Sequence, residues 1–415
     1  MEVREKGFKS LTPVLEALEM LLKLAEPMAD NQVPVREALG RVLAEDIVSE
    51  RDIPPFNRAA MDGYAVRGED TFGATQTNPI YFKVIGEVLT GHPEDIEVGR
   101  FDAVKITTGS PVPNGADAVV MIEYINELGD EIEVMKATPP GNNVSLRGED
   151  VKKGQLIIKK GRKINSQEIA MLSALGTGHI KVVRKPEVAV ISTGDELTEP
   201  GKELEAGKIY DVNSFALEAL SKEAGCNVDR IGILEDNYTT IKETIKALEG
   251  YDIILISGAT SVGKKDVIPI IVEELGRVYV HGVAMRPGEP LGFGRIGKSI
   301  VFMLPGFPVA SIVGFETFVR PLIQKLSKTR IKVPYRSIKV RLKRKISSEL
   351  GRRDFVRVKV TVQKDGYSAE PLRSSGSGIV SSLVRAQGFV IVPENTEGVE
   401  QDDIVEVFLF RDIEE

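Results

Sequence analysis

The sequence predicts a multidomain protein that combines one α/β domain with two β-rich modules. Its 415 residues exceed the roughly 150 residues of one typical domain. Between residues 186 and 328, apolar runs alternate with helical patterns, which is typical of βαβ units in a parallel sheet. Over residues 44–144, and again from Ile331 onward, short strand-like runs follow one another without helices.

The chain is predicted to open with an amphipathic helix. Thr12-Pro13 places proline at the first helical position. A second helix is predicted after Asn165, because Glu168 three residues later completes a capping box, and it should end near Gly176. We expect this segment to rejoin the first helix, whose predicted apolar face consists of Val14, Leu15, Leu18, Leu21 and Leu22.

The remaining elements follow from the same patterns. In the first β-rich module, strands are predicted over residues 81–88, 103–107, 118–122 and 131–135, and a further strand over 155–159. In the α/β region, strands are predicted over 188–191, 228–233 and 253–256, with helices after Asn213, Asn237 and Asp266. The last roughly 85 residues, from Ile331 onward, predict a small β-barrel or a sandwich.

Charge and hydropathy exclude several classes of partner. The 61 acidic residues outnumber the 54 basic ones, giving a net charge of −7, which disfavours non-specific binding of nucleic acid. The most basic stretch, 332–357, alternates with Val and Ile and predicts a solvated sheet face. No apolar leader is present at the N-terminus, so we expect a cytoplasmic protein. The apolar stretch 300–319 is interrupted by Pro305, Gly306, Pro308 and Glu316, which indicates strand, turn and buried helix rather than a membrane span.

The sequence contains few side chains that could act as nucleophiles or soft metal ligands. Cys226 is the only cysteine, and His92, His179 and His281 are scattered. This excludes disulfide frameworks and Cys/His zinc sites, and it disfavours Ser-His-Asp chemistry. Any catalysis must therefore use carboxylates, hydroxyls, backbone amides and cations.

Two strands of the α/β region end in polar, glycine-containing loops that we expect at one sheet edge. The first contains Ser192, Thr193, Gly194, Asp195 and Glu196, and the second runs from Ser257-Gly258 to Asp266. Glycines let backbone N–H groups approach an anion, while carboxylates can hold a divalent cation. Residues 258–264 also match a P-loop pattern, but Lys265 stands where its Ser or Thr is required. A P-loop NTPase and an ordinary βα turn stay open as alternatives.

Proline-glycine turns supply further candidates with rigidly held backbone amides. They are Arg286-Pro287-Gly288-Glu289-Pro290 and Leu304-Pro305-Gly306-Phe307-Pro308. In the first β-rich module, the tight turn at Asp62-Gly63 and the segment 106–113 are the corresponding candidates.

Together these segments resemble the MoeA family, the molybdopterin molybdenumtransferases, which includes the E domain of gephyrin. The similarity covers nearly the whole chain. It rests on eight motifs in one order, namely Ala60-Met-Asp-Gly-Tyr-Ala65, Thr108-Gly-Ser-Pro-Val-Pro113, Arg147-Gly-Glu-Asp150, Ser192-Thr-Gly-Asp-Glu196, Ile209-Tyr-Asp-Val-Asn213, Ser257 to Asp266, Leu304-Pro-Gly306 and Gly376-Ser-Gly378.

The resemblance implies four domains and a homodimer. Residues 1–43 and 146–185 would form an elongated α+β domain, 44–145 an inserted β-rich domain, 186–328 the α/β molybdopterin-binding domain, and 329–415 a C-terminal β-barrel. The active site would lie between the α/β domain of one subunit and the inserted domain of the other. A molybdopterin adenylyltransferase is a candidate partner, and neither nucleic acid nor a membrane is expected as one.

The implied reaction inserts molybdate or tungstate into adenylylated molybdopterin and releases AMP with the help of Mg²⁺. The thiolates that bind the metal belong to the substrate, which explains how a chain with one cysteine performs metal–sulfur chemistry. A non-catalytic scaffold or binding module of the same fold is the alternative, because several positions depart from the family pattern. These departures are Ala259, Thr260, Arg286, Glu289, Phe307 and Ala310.

The resemblance also assigns roles to individual residues. The implied catalytic residues are Asp62, Thr108, Glu196, Asp236 and Asp266, of which Glu196 and Asp266 would hold Mg²⁺. The implied substrate-binding residues are Ser192, Thr193, Gly194, Asp195, Ser257, Gly258, Ser261, Gly263, Arg286, Pro287, Gly288, Pro305, Gly306, Arg353, Ser375 and Ser377. Arg352 is an alternative to Arg353 at the rim of the barrel.

Overall fold

The chain folds as two compact units in a computed structural model that describes residues 11–92, 94–258, 267–364, 366–372 and 378–413. The smaller unit comprises residues 32–39 and 45–181, and the larger comprises the described parts of 1–31, 40–44 and 182–415. The four-domain division is finer than this and stays a prediction.

The helices begin and end close to the predicted signals. The α-helices in the described residues are α1 (Val14–Leu24), α2 (Ser166–Ala174), α3 (Asn213–Glu223), α4 (Tyr238–Ala247), α5 (Ile268–Leu275), α6 (Pro308–Gly314), α7 (Arg320–Leu326) and α8 (Ser381–Arg385). The 3-10 turns Val35–Glu37, Gly68–Thr71 and Ile122–Tyr124 and the π-helical segment Phe315–Val319 complete the set.

The capping box before α2 is confirmed, because Glu168 accepts the backbone N–H of Asn165 at 2.9 Å. The predicted apolar face of α1 needs a correction. The helix buries Val14, Ala17 and Leu21, whereas Leu15 is 58% exposed. At 100° per residue, Leu15 lies about a third of a turn away from the mean direction of Val14, Ala17 and Leu21. Pro13 also precedes the first helical residue instead of occupying it.

The smaller unit is built on a six-stranded sheet in the order β4-β1-β3-β2-β6-β5. Only β2 and β3 pair in parallel among its neighbours. Its strands are β1 (Gly63–Val66), β2 (Ile80–Val88), β3 (Asp102–Ile106), β4 (Ala118–Met121), β5 (Ile125–Glu127) and β6 (Glu131–Val134). The strand pairs Ile47–Val48 with Leu156–Ile158 and Arg58–Ala59 with Val144–Ser145 extend this unit.

The larger unit contains a six-stranded α/β sheet in the order β8-β7-β9-β12-β11-β10. The strands β8, β7, β9 and β12 run parallel, and β11 and β10 continue the sheet antiparallel. Their bounds are β7 (Glu187–Thr193), β8 (Asn227–Leu234), β9 (Ile253–Ser257), β10 (Arg277–His281), β11 (Gly292–Ile296) and β12 (Ser299–Leu304). Apolar clusters cover both faces of this sheet, as expected for parallel strands between helices.

The C-terminal strands close into a five-stranded barrel, so the barrel is confirmed over the sandwich. They are β13 (Arg336–Leu342), β14 (Arg353–Gln363), β15 (Gly366–Pro371), β16 (Gly388–Val392) and β17 (Ile404–Leu409). The ring closes because β14 pairs with both β15 and β16, while β13 pairs with both β15 and β17. Alternate residues fill the barrel with valine and other apolar side chains.

Other strand segments are short or lie at the boundaries of these assemblies. They are Asp30–Pro34, His179–Val183, Leu197–Thr198 paired with Ile209–Tyr210, Met285–Arg286, and Ile346–Ser347 paired with Gly398–Val399. No helix in the described part of the chain has the length and apolar character needed to cross a membrane.

Candidate functional site

The strands β7, β9 and β12 end at one carboxyl edge of the parallel sheet, where the sequence predicts two polar loops. The strand register aligns Ser192 at the end of β7 with Ser257 at the end of β9, and Ser257 with Leu304 at the end of β12. The loops that begin at Gly194, Gly258 and Pro305 therefore leave the sheet side by side. Parallel α/β sheets bind their ligands at this edge.

At Gly258 the chain approaches the end of β7 so closely that glycine is required. Gly258 has φ +112°, and a Cβ there would lie 2.1 Å from the carbonyl oxygen of Thr193. A Cβ at Gly306 would lie 3.7 Å from the Cα of Gly258.

The N-terminus of α3 holds these loops together. The buried carboxylate of Asp211 accepts hydrogen bonds from Ser192 Oγ at 2.9 Å and from Ser214 N at 3.1 Å. The Asn213 side-chain amide donates to Ser257 Oγ at 2.6 Å and to the carbonyl oxygen of Gly306 at 2.7 Å. Sequence reasoning missed both roles, although the motif at 209–213 was available as a signal.

Two buried polar atoms at this edge are unsatisfied within the described residues. They are Thr193 Oγ1 and Asn213 Oδ1, whose residues are 2% and 8% exposed. Buried polar atoms are seldom left without a partner, because each costs desolvation free energy. The edge therefore offers hydrogen-bonding capacity to a polar ligand.

Carboxylates surround the first loop. Glu196 is exposed, and its side chain folds back over Gly194. A Cβ added at Gly194 would lie 2.7 Å from Glu196 Oε2. Asp195 accepts the backbone N–H of Asp236 at 3.1 Å, so three predicted site residues lie on adjacent loops. Asp266, Ser261 and Gly263 lie outside the described residues.

These carboxylates do not form a closed metal cage. Across the described ranges, no group of three or more His, Cys, Asp or Glu side chains is placed to hold a metal ion. Mg²⁺ is commonly held by one or two carboxylates together with substrate phosphates and water. The oxygen donors at this edge fit that mode.

In the smaller unit, Asp62 and Thr108 are brought together by the sheet. The register between β1 and β3 aligns Gly63 with Ile106, so the residues just outside the strands face each other. Asp62 Oδ1 accepts hydrogen bonds from Thr108 N at 2.6 Å and from Thr108 Oγ1 at 2.8 Å. The backbone bond, followed by the hydroxyl bond, lowers the pKa of this exposed carboxylate, which therefore stays ionised at neutral pH.

A cluster of hydroxyl groups supports this turn. Thr107 Oγ1 lies 2.9 Å from Ser110 Oγ and 3.2 Å from Thr90 Oγ1. Thr90 Oγ1 also donates to the carbonyl oxygen of Thr108 at 3.1 Å. The Thr90 bond holds the Thr108 backbone, whose N–H donates to Asp62. Thr90, some 18 residues before Thr108, carried no sequence signal.

Within the larger unit, a cavity of about 570 Å³ lies between the α/β region and the barrel. The short strand Met285–Arg286 joins the two, because it pairs in parallel with β14 at Arg353 and Asp354. We call this space the Arg286 cavity. Its lining includes four residues predicted as substrate-binding, namely Arg286, Pro287, Gly288 and Pro305.

The two rim arginines are placed differently. Arg352 lines the Arg286 cavity and donates to Asp354 Oδ1 at 2.8 Å. Arg353 instead pairs with Glu394 at 2.9 Å and lines a second, largely apolar cavity beside α1 and α7. The geometry thus brings Arg352, and not Arg353, next to Arg286. Ser375 and Ser377 lie outside the described residues.

The only cysteine is not part of any of these groups. Cys226 is buried, and desolvation raises the pKa of its thiol to about 12. The thiol therefore stays protonated at neutral pH.

The chain matches three family profiles along its length. They are the MoeA N-terminal region (domain I and II) over residues 12–176, a probable molybdopterin binding domain over 189–325, and the MoeA C-terminal region (domain IV) over 339–410.

Similar proteins cover nearly the same extent. A putative molybdopterin biosynthesis protein from Methanocaldococcus jannaschii is 43% identical over 98% of this chain and 100% of its own length. A molybdopterin molybdenumtransferase from Staphylococcus epidermidis is 35% identical over 95% of each chain. A crystal structure of the MoeA protein from Pyrococcus horikoshii is 40% identical and superposes with a TM-score of 0.84, covering 97% of this chain and 100% of that one.

Proposed function

Because the chain belongs to the MoeA family, we propose that it inserts molybdate or tungstate into adenylylated molybdopterin and releases AMP. The family expected from the sequence motifs is confirmed. The class of enzyme, a transferase of molybdenum cofactor biosynthesis, is confirmed as well, because relatives at 35% identity are named molybdopterin molybdenumtransferases. The AMP-releasing step and the choice of oxyanion are the proposed parts.

The observation that carries the proposal is the polar carboxyl edge of the parallel sheet, where Gly194, Gly258 and Pro305 follow the ends of neighbouring strands. An adenylylated pterin and a tetrahedral oxyanion are both anionic, so their site needs amides, hydroxyls and cations instead of apolar contacts. The hydroxyl of Thr193 and the side-chain carbonyl of Asn213 are unsatisfied there, and Ser257 adds a second hydroxyl group. Asn213 keeps the loops in place.

Each implied catalytic residue has a role in this proposal. Glu196, with Asp266 from the neighbouring loop, would hold Mg²⁺, which when bound neutralises charge on the phosphoanhydride. Asp236 and Asp195 would orient the loop that carries Glu196, since the Asp195 carboxylate accepts the backbone N–H of Asp236. Asp62, ionised and fixed by Thr108, would orient the attack on the phosphoanhydride from the inserted domain.

The proposed assembly is a cytoplasmic homodimer with two shared sites. In each site the α/β domain of one subunit would supply Glu196 and Asp266, and the inserted domain of the other would supply Asp62 and Thr108. Adenylylated molybdopterin would come from a molybdopterin adenylyltransferase. The four predicted domains would then be the structural units of this assembly.

The test is to mix the purified protein with adenylylated molybdopterin, Mg²⁺ and either molybdate or tungstate. We expect AMP release together with metal bound to the pterin dithiolene. Glu196→Gln should lower the rate of AMP release by at least about tenfold, since a removed carboxylate ligand weakens the hold on Mg²⁺. The control is Glu203→Gln, an exposed residue in the same unit, which should keep the wild-type rate.

Two other results would contradict the proposal. Binding of the adenylylated substrate without AMP release or metal insertion would indicate the scaffold alternative. Hydrolysis of ATP alone at a rate comparable with AMP release would indicate the NTPase alternative.

A further inference from the structure

An exposed aromatic residue, Phe307, lies at the carboxyl edge of the α/β sheet. It follows the end of β12 at Leu304 by three residues. The residue before it is held at that edge, because the carbonyl oxygen of Gly306 accepts the side-chain amide of Asn213 at 2.7 Å. A Cβ added at Gly306 would also lie 3.7 Å from the Cα of Gly258. The backbone therefore places Phe307 beside the polar groups of this edge.

The phenyl ring of Phe307 does not belong to a hydrophobic core. The residue is 61% exposed, which is more than any other aromatic residue in the described part of the chain. It is not a member of either apolar cluster that covers the α/β sheet. An exposed aromatic side chain gives up the free energy that its burial would provide. Packing within the fold therefore does not explain this side chain.

The helix that follows does not explain it either. Phe307 is the N-cap residue of α6, and its side chain forms no capping hydrogen bond. Ser, Thr, Asp and Asn are preferred at this position, because their side-chain oxygens accept backbone N–H groups of the first helical turn. A phenyl ring cannot do so. Phe307 is thus unfavourable for the local structure and stands where a ligand can reach it.

A glycine leaves one side of the ring uncovered. A Cβ added at Gly378 would lie 3.4 Å from Cδ1 and 3.6 Å from Cε1 of Phe307. These are ordinary contact distances, so a larger residue at position 378 would pack on the ring. Gly378 is itself exposed. The motif that contains Gly378 has no other role in the proposed function, and keeping the ring accessible gives it one.

The surroundings of the ring fit a ligand that has both polar groups and a flat ring. Two buried polar atoms at the same edge, Thr193 Oγ1 and Asn213 Oδ1, have no partner among the described residues. Ligand sites typically combine aromatic surface with a few polar groups. Exposed aromatic side chains bind heteroaromatic rings by stacking, because both partners present a π-face.

We infer that Phe307 is a specificity-determining residue that stacks on a heteroaromatic ring of the substrate. The ring is either the adenine or the pterin of adenylylated molybdopterin. The inference rests on the proposed function for the identity of these two rings, whereas the exposed phenyl group is a property of the fold itself.

The test compares Phe307→Leu with Phe307→Tyr. Leucine keeps an apolar side chain but removes the π-system, and tyrosine retains it. The control is Phe72→Leu, which removes a ring that is 57% exposed in the smaller unit. Isothermal titration calorimetry measures the affinities for AMP, for ribose 5-phosphate and for 6-hydroxymethylpterin. Proton NMR measures the ring-current shifts of the bound AMP and pterin.

Phe307→Leu should weaken binding of AMP or of 6-hydroxymethylpterin by at least about fivefold, because stacking is lost. It should leave the affinity for ribose 5-phosphate unchanged, since that probe has no aromatic ring. Phe307→Tyr and Phe72→Leu should keep the wild-type affinities and the upfield shifts of the probe protons. A selective loss of AMP affinity would assign adenine, and a selective loss of pterin affinity would assign the pterin.

Thermal unfolding separates binding from a structural role of the ring. Phe307→Leu should unfold at the wild-type temperature, because the ring is not buried. Phe307→Asn should unfold at the same or a higher temperature, since asparagine can cap α6. If Phe307→Leu loses ring affinity only together with a lower transition temperature, the ring stabilises the fold and the inference is overturned.

Wild-type affinity of Phe307→Leu for both AMP and the pterin would also overturn the inference. So would an equal loss of affinity for ribose 5-phosphate, or a wild-type protein that binds neither ring. Binding of a ring that depends on Phe307 in a wild-type protein that releases no AMP would refute the proposed function and leave this inference intact.

Discussion

At the scale of single residues, hydrogen bonds set the charge of the candidate site. Asp62 is held by two donors from one residue, the N–H and the hydroxyl of Thr108. Donors that bond to the ionised form of a carboxylate favour that form. The lowered pKa of Asp62 is thus a consequence of local geometry alone, without help from a neighbouring cation.

Replacing Thr108 by valine should raise the pKa of Asp62 toward the ordinary value of a carboxyl group, because the hydroxyl donor is lost and only the backbone N–H is left. The folded-state pKa of Asp62 is lower than its unfolded value, so the two bonds stabilise the fold fully at neutral pH, and this contribution is lost as the pH falls through the folded pKa. In Thr108→Val the remaining stabilisation from ionised Asp62 should be completely lost at a higher pH than in the wild type. NMR titration of the Asp62 carboxyl carbon measures the shift.

The matched control is Thr107→Val. Thr107 lies next to Thr108, but its hydroxyl contacts Ser110 and Thr90 instead of Asp62. The pKa of Asp62 should stay at the wild-type value in this variant. An unchanged pKa in Thr108→Val would mean that the backbone N–H accounts for the whole effect.

Residue types and spacing predicted correctly that β7 and β9 end at one edge of the sheet, but they could not predict partners from distant parts of the chain. The basic stretch 332–357 shows this limit. Arg336, Lys339 and Arg341 are exposed, as a solvated sheet face requires, whereas Arg357 is buried. Strand alternation indicates the face on which a residue lies, but not what packs against that face.

At the scale of elements, hydrophobic periodicity located most of the long strands and helices of the first β-rich module and the α/β region, but it missed strands such as β1 and β10. The four predicted strands of the first β-rich module differ from β2, β3, β4 and β6 by one residue at most at either end. The closed barrel could not be distinguished from a sandwich in advance, because closure depends on the pairing of β14 with β16. The break between α6 and α7 was also missed. Pro321 cannot donate to the carbonyl of Thr317, and a π-helical segment precedes it.

The junction of β9 with its loop is predicted to tolerate no side chain. Gly258→Ala should lower the free energy of unfolding by about 2–5 kcal/mol, since it adds backbone strain at φ +112° to a clash with the Thr193 carbonyl. Gly207→Ala is the control. It has φ +84° and open space around the added Cβ, so it should cost only about 1–2 kcal/mol. Differential scanning calorimetry of the ligand-free proteins compares the two, and equal losses would show that the loops can separate.

At the scale of the whole molecule, the candidate catalytic residues are divided between the two units. Asp62 and Thr108 belong to the smaller unit, whereas Glu196 and Asp236 belong to the larger one. The two-fold symmetry of a homodimer would generate two equivalent sites, each built from both subunits. Sequence reasoning could supply this arrangement only through the family resemblance, because nothing in local patterning encodes which surfaces of two subunits meet.

Mixing Asp62→Asn with Glu196→Gln should therefore restore activity that neither protein has alone. In a mixed dimer, one shared site carries both substitutions and the other carries neither. Random exchange makes half of the dimers mixed, so about a quarter of the wild-type rate of AMP release should return. Mixing Glu196→Gln with Asp266→Asn is the control, because both implied Mg²⁺-binding residues belong to the α/β domain of one subunit and every site in a mixed dimer keeps one lesion. If native mass spectrometry shows mixed dimers of Asp62→Asn with Glu196→Gln that stay inactive, each site is formed within one chain and the shared-site proposal is wrong.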